Sequence, residues 1–187
     1  MEKMIQKDRY YLSEFIVDAL QLMAEEQDES RLLERLAPLV QRAAMDPGWR
    51  TEAMLEADPE LGFGSTLLHA EEDHSLFVVA DSWLPGRGVQ PHNHGTWAIV
   101  VGVTGPEHNL FWQRIAPDSA ELQQLREEVI DIGEVACMSS DAIHSVENRT
   151  AETTLSFHVY GRHLNFTGRS RFDIEQQLEI PFMIETR

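Results

Sequence analysis

Cysteine is almost missing from this chain: Cys137 is the only one in 187 residues. No intrachain disulfide can form, and a reducing compartment is the natural setting. Basic residues are scarce too. Lys and Arg number 15 against 32 Asp and Glu, a formal charge of -17. Nucleic acid and anionic membrane surfaces both reward clustered Lys and Arg, so neither is expected as a partner. A site for a small anion would have to be locally basic inside an acidic shell. No stretch approaches the roughly 18 apolar residues that a spanning helix needs. The opening MEKMIQKDRYYLSEF has no apolar run before a small-residue cleavage site, so no signal peptide is read there. Internal repeats and low-complexity segments are missing as well. These absences lead to the expectation of a soluble, cytoplasmic protein.

What is present is ordinary in bulk, with 42% hydrophobic and 25% charged residues. The length suits one domain with a real core, or one domain with an appendage. Residues 8 to about 57 read as helix. Leu12, Phe15, Ile16, Ala19, Leu22 and Met23 recur at steps of three and four, which makes one apolar stripe. Asp28 or Ser30 can cap a second helix carrying Leu32, Leu33, Leu36, Leu39 and Val40. Pro38 lies inside it and should kink or split it. DPGW reads as a turn and WRTEAMLEA as one further short helix, the whole serving to cover a sheet face.

From about residue 64 the texture changes to short runs rich in Val, Ile, Phe and Thr. Turn signals such as PGRG, TGPE and APDS separate them about every ten residues. Eight or more short strands in succession indicate a sandwich or barrel. One of these runs raises the question of chemistry. In VQPHNHGTWAIVVG, His92 and His94 stand one residue apart, and a strand would point both imidazoles the same way. Such a pair suits a metal better than a core. Further on, HSVEN supplies His144 and Asn148, and TLSFHVYG places Ser156, His158 and Tyr160 on one face of one strand.

The H-x-H strand and the later H-x-x-x-N resemble the two motifs of the cupins. Ala98 and Ile99 stand where the glutamate ligand of that superfamily usually falls, and Asp141 replaces its turn glycine, a residue type that visits positive φ readily. With H-x-H, no glutamate, a later histidine and S-x-H-x-Y-G, the chain resembles the thiol dioxygenases, the bacterial cysteine and 3-mercaptopropionate dioxygenase family, over roughly residues 60–170. The fold this implies is mainly β: a cupin-type double-stranded β-helix, a jelly-roll barrel, with a helical N-terminal segment. Residues 1–60 would form that segment, packed on the barrel, and 61–187 the barrel with a C-terminal arm.

The resemblance also implies a site. His92, His94 and His144 would hold Fe(II), with Ni, Mn or Zn as other occupants of such a site in purified protein. Ser156, His158 and Tyr160 would form a relay beside the metal. No cysteine follows H-x-H, so no cross-link to the tyrosine is expected. An ungapped count places Thr66 near the upstream arginine of cysteine dioxygenases. Among Arg162, Arg169 and Arg171, Arg169 best fits the arginine of the mercaptopropionate enzymes. The implied reaction joins a small mercapto-carboxylate, 3-mercaptopropionate-like or cysteine, with O2 to give the sulfinate. Three neutral imidazoles leave iron its full charge, which favours an anionic thiolate. The arginine would fork onto the carboxylate.

Other readings stand beside this one. A three-histidine cupin can run a different dioxygenase or isomerase reaction, or bind a metal or ligand without catalysis. The helical segment lacks a basic recognition pattern, which argues against a DNA-bound regulator. Expected partners are a small thiol and O2, with the chain a monomer or small homo-oligomer. Glu107, a rival carboxylate ligand, is expected on a turn. Trp83 and Trp97 are expected in the core, and Cys137 as a partly buried small hydrophobe. His69, His74, His108 and His163 are expected at the surface or in loops.

Overall fold

The computed structural model describes residues 9–187. The first eight residues of the helical segment, with most of the stretch on which the leader reading rests, lie outside the described residues. Two helices come first, α1 (Leu12–Glu25) and α2 (Glu29–Met45). Glu14 returns its carboxylate to the Tyr11 amide at 2.9 Å, and Asp28 takes the Arg31 amide at 3.0 Å. Each cap satisfies a donor that the first turn leaves open. Pro38 neither splits α2 nor ends it. It lies on the exposed side, where solvent can bond the carbonyl deprived of its partner. Pro47–Trp49 and Glu52–Leu55 are single 3-10 turns rather than a further α-helix. No helix among the described residues is long and apolar enough to cross a membrane.

Eleven strands follow: β1 (Phe63–Ala70), β2 (Phe77–Trp83), β3 (Gly88–Asn93), β4 (Ala98–Gly102), β5 (Glu107–Arg114), β6 (Leu122–Ile130), β7 (Val135–Met138), β8 (Ile143–Glu147), β9 (Thr154–Tyr160), β10 (Ser170–Asp173) and β11 (Leu178–Pro181). They form a five-stranded sheet in the order β1-β2-β9-β4-β7 and a six-stranded sheet in the order β11-β10-β3-β8-β5-β6. From β2 to β9 the chain passes back and forth between the sheets, except at the β5–β6 hairpin, and its partners nest as β2 with β9, β3 with β8, β4 with β7 and β5 with β6. That nesting is the double-stranded β-helix of the cupins, a jelly roll.

Strand periodicity then divides the core in two. On β9, Leu155, Phe157 and Val159 face outward beneath the helices, joined there by Val78, Ala80, Ile99 and Val101. Phe15, Ile16 and Ala19 of α1 and Leu32, Leu33, Leu36 and Val40 of α2 cover them. Phe157 packs edge-on to Phe15 at 6.2 Å and against Trp49 at 5.1 Å. The other face of the same strands looks into the barrel. Phe77, Val79, Ala98 and Val100 form an apolar part of that inner face. The alternate positions of β9, Ser156 and His158, share the face with buried polar groups, His158 standing level with Val79 and Val100. With both faces covered, β2, β4 and β9 are buried along their whole length.

Beyond β11 the chain returns to the opposite sheet. The Leu67 amide donates to the Arg187 carbonyl at 3.0 Å, and the Arg187 amide to the Ser65 carbonyl at 3.1 Å. Cys137 is exposed on β7, an edge strand, and is not the partly buried residue its type suggests.

Candidate metal centre and its hydrogen-bond network

A local irregularity aligns the histidines. β3 and β8 pair Val89 with Val146 and then His92 with His144, so β3 carries one extra residue around Gln90 and Pro91. Proline in a strand is tolerated at such a bulge. The inserted residue puts His92 opposite His144. Gly95, at φ 64°, turns the chain immediately past His94. Gly88 lets the same two strands close up, since a Cβ there would stand 1.8 Å from the Val146 carbonyl oxygen.

One ring nitrogen from each of His92, His94 and His144 lies within 4.8 Å of the others, and all three rings are buried. His92 Nδ1 lies 3.0 Å from the Gln90 carbonyl oxygen and His144 Nδ1 lies 2.7 Å from Asn109 Oδ1. Each bond puts a hydrogen on Nδ1 and leaves Nε2 with its lone pair. His94 Nε2 is 3.1 Å from His144 Nε2, while His94 Nδ1 is buried with no hydrogen-bond partner among the described residues. Burial pushes the His144 pKa down to about 4, against the pull of Glu107. Burial and the neighbouring histidines hold His92 and His94 well below the usual range. Three converging neutral nitrogens are a donor set that fits a divalent transition metal. The cluster could therefore bind a metal ion.

The five-stranded sheet presents a second polar group to the same cavity. Ser156 Oγ lies 2.7 Å from His158 Nε2, and His158 Nδ1 lies 3.0 Å from the Tyr160 hydroxyl. The Tyr160 ring packs edge-on to His94 at 5.0 Å, so this chain ends beside the cluster. Two buried carboxylates flank His158, Asp81 at 3.7 Å and Glu107 at 3.5 Å. Burial alone would lower the His158 pKa, but these two raise it. Glu107 is not on a turn. It opens β5, is 1% exposed and accepts from Ser156 Oγ at 2.5 Å and Asn109 Nδ2 at 2.9 Å. It stands apart from the three-histidine cluster. Burial would raise its pKa, yet bonds from His158, Ser156 and Asn109 bring it down to about 2. Burial raises the Asp81 and Tyr160 pKa values, Asp81 keeping a bond from Ser65.

Of the three candidate arginines only Arg169 is buried; Arg162 and Arg171 are exposed. Arg169 lines the cavity with His92, His144, Tyr160 and Phe182. Its Nε donates to the Phe182 carbonyl at 3.2 Å and its guanidinium lies 4.0 Å over the Phe182 ring. Burial lowers its pKa to about 10, against Tyr160 and Asp81. The cavity is small, with a volume of ≈ 20 Å³. Thr66 does not line it and instead accepts from Arg187 Nε at 3.3 Å. Trp83 does line it, and its indole donates to Ser156 Oγ at 3.0 Å; Trp97 packs under the helices. Asn148 serves a loop, its amide donating to the Trp83 and Glu152 carbonyls at 2.8 Å. His69, His74, His108 and His163 are half-buried and none lines the cavity.

No family model matches the chain. Among solved structures it is similar to an uncharacterized conserved protein with a double-stranded β-helix domain from Klebsiella pneumoniae. The identity is 12% and the TM-score 0.49, over 66% of this chain and 96% of that one. It is similar to the Cupin_2 domain of an XRE family transcriptional regulator from Enterobacter cloacae (13% identity, TM-score 0.41, 55% of this chain and 98% of that one). It is also similar to oxalate oxidase in complex with the substrate analogue glycolate (15% identity, TM-score 0.47, 60% of this chain). That match spans 59% of the oxalate oxidase chain, less than two thirds of its length. By strand order and site the protein is a cupin-type double-stranded β-helix with a buried three-histidine cluster that could hold a metal.

Proposed function

We propose that this protein is a mononuclear non-heme iron thiol dioxygenase. It converts a small mercapto-carboxylate, 3-mercaptopropionate-like or cysteine, and O2 into the sulfinate. The balance is R–SH + O2 → R–SO2H, with both oxygen atoms entering the product. The observation that carries this reading is one narrow cavity lined together by His92, His144, Tyr160 and Arg169. His92, His94 and His144 would hold the iron, and Ni, Mn or Zn would suit the same nitrogens. When bound, iron supplies the centre at which thiol and O2 react.

The chain's own residues divide the remaining work. Arg169 offers guanidinium nitrogens that have no protein partner among the described residues, a fork for a carboxylate in a desolvated wall. Tyr160 holds a proton at its hydroxyl, backed by His158 and Ser156. Phe63, Val89, Val146 and Phe182 keep water out. The small free space supports a substrate of few atoms. With this reading go a cytoplasmic setting, the thiol and O2 as partners, and a monomer or small homo-oligomer.

The test is O2 consumption by anaerobically iron-loaded protein, with 3-mercaptopropionate and cysteine side by side and His144→Ala as control. Sulfinate formed in step with O2 uptake and lost in the control is the expected result. No uptake with either thiol, despite bound iron, would remove the dioxygenase reading.

A further inference from the structure

Glu107 touches neither the histidine cluster nor the free space of the cavity, yet hydrogen bonds run from it in two directions. Through Oε1 it takes the Asn109 amide, and Asn109 Oδ1 meets His144 Nδ1. Through Oε2 it takes the Ser156 hydroxyl, and Ser156 Oγ meets His158 Nε2. Glu107 belongs to the six-stranded sheet and Ser156 to the five-stranded one, so this path crosses the barrel.

We infer that Glu107 is a positioning residue that fixes the hydrogens on two histidines at once, His144 Nδ1–H on one side and His158 Nε2–H on the other. The assignment follows from counting donors and acceptors. An ionised carboxylate only accepts. The Asn109 group facing Glu107 must therefore be its NH2, which leaves the Asn109 oxygen for His144 and requires the hydrogen on Nδ1. The Ser156 hydroxyl has one hydrogen and two lone pairs. Its hydrogen goes to Glu107, and one lone pair goes to the Trp83 indole, which can only donate. The other lone pair faces His158 Nε2, which must bring a hydrogen of its own. Both assignments require Glu107 to be ionised; the charge of His158 does not enter, because its Nε2 carries a hydrogen whether or not the ring is charged. The low pKa of Glu107 accords with the acceptor role.

The two results differ in kind. At His144 the lock leaves the Nε2 lone pair pointing into the cluster, and its purpose there rests on the metal reading proposed above. At His158 the lock holds a hydrogen on the Ser156 side, so any change in the charge of the ring falls on Nδ1, which faces Tyr160. The proton positions themselves need neither metal nor thiol.

Long-range ¹H–¹⁵N correlation spectra of metal-free, ¹⁵N-labelled full-length protein test them directly. The wild type should show His144 protonated at Nδ1 and bare at Nε2, and His158 protonated at Nε2. A bare His158 Nε2 or a bare His144 Nδ1 overturns the inference with no variant needed. Glu107→Gln sharpens it, because a carboxamide accepts on one side and donates on the other. One histidine of the two should lose its assignment while the other keeps it; retention of both overturns the role of Glu107. Co(II) affinity follows the same division. It falls about 10–100-fold if His144 is the one that changes and stays put if His158 is. Assigned tautomers in a wild type that takes up no Co(II) would uphold Glu107 and remove the metal reading.

Discussion

The two sheets of the barrel each turn buried histidine inward, and they treat it in opposite ways. On the six-stranded side, His92 and His144 with neighbouring His94 crowd one another out of reach of water, with Arg169 near, and their pKa values are pushed down. On the five-stranded side, His158 sits between Asp81 and Glu107 and is drawn toward its charged form. Burial acts alike on all four rings, lowering the affinity for a proton. What separates them is the company of carboxylates. One fold thus keeps lone pairs and protons a few ångströms apart, the former fit for a metal and the latter for handling hydrogen.

Breaking one side should leave the other standing. The largest effect is expected from His144→Ala, which should weaken Co(II) or Fe(II) binding by more than about 100-fold, since losing an outer partner alone costs about 10–100-fold. Equilibrium dialysis gives the number, and undiminished uptake would move the metal elsewhere. Next comes Tyr160→Phe in iron-loaded protein. Turnover should drop about 100-fold at unchanged metal content, the lower range for loss of a proton-handling group; equal turnover would take the relay out of the reaction. Arg169→Lys keeps the charge but loses the fork. It should raise KM about tenfold for a carboxylate-bearing thiol and leave a neutral thiol unaffected, whereas equal effects on both would count against substrate binding.

The smallest effect is one of pH. In metal-free protein the cluster refuses protons that the unfolded chain takes up near pH 6.5. Its contribution to stability is full above that value and is lost as pH falls toward 4, where His144 titrates at about 4. His158 works with the opposite sign, stabilising at low pH and losing that contribution as pH rises through its elevated folded value. Removing a suppressed group should therefore blunt acid sensitivity. Between pH 6.5 and 4, His144→Ala should lose less in Tm than the wild type by a few degrees, at about 2–4 °C per kcal/mol. A greater loss in the variant would contradict the assignment.

The jelly roll and its histidines were legible because strand periodicity is local. An H-x-H pair and S-x-H-x-Y each declare a shared face without knowledge of any partner strand, whereas H-x-x-x-N speaks only through the resemblance, its Asn148 serving a loop beyond β8. The alignment of His92 with His144 was not legible, since it depends on a one-residue bulge that only the pairing reveals. Asp81, Asn109 and Glu107 were missed or misplaced for a related reason. They reach the site from β2 and β5, and their meaning lies in what faces them across the barrel. A signal did exist in FVVADSW, where an aspartate interrupts a run otherwise fit for a core, and in EHN, where Glu107 and Asn109 share a face. Pro38 predicts a kink or a split, and α2 is not split, because local rules count the lost bond but not the water that replaces it on an exposed face.

Trp83 carries one more consequence. Its indole nitrogen donates to Ser156 at 3.0 Å and its ring lies 6.4 Å from that of His158. An indole so placed is a fluorophore wired to the network. A charged imidazole quenches indole emission, so events at His158 should be readable in the part of the protein's emission that Trp83→Phe removes, the other three tryptophans giving a constant background.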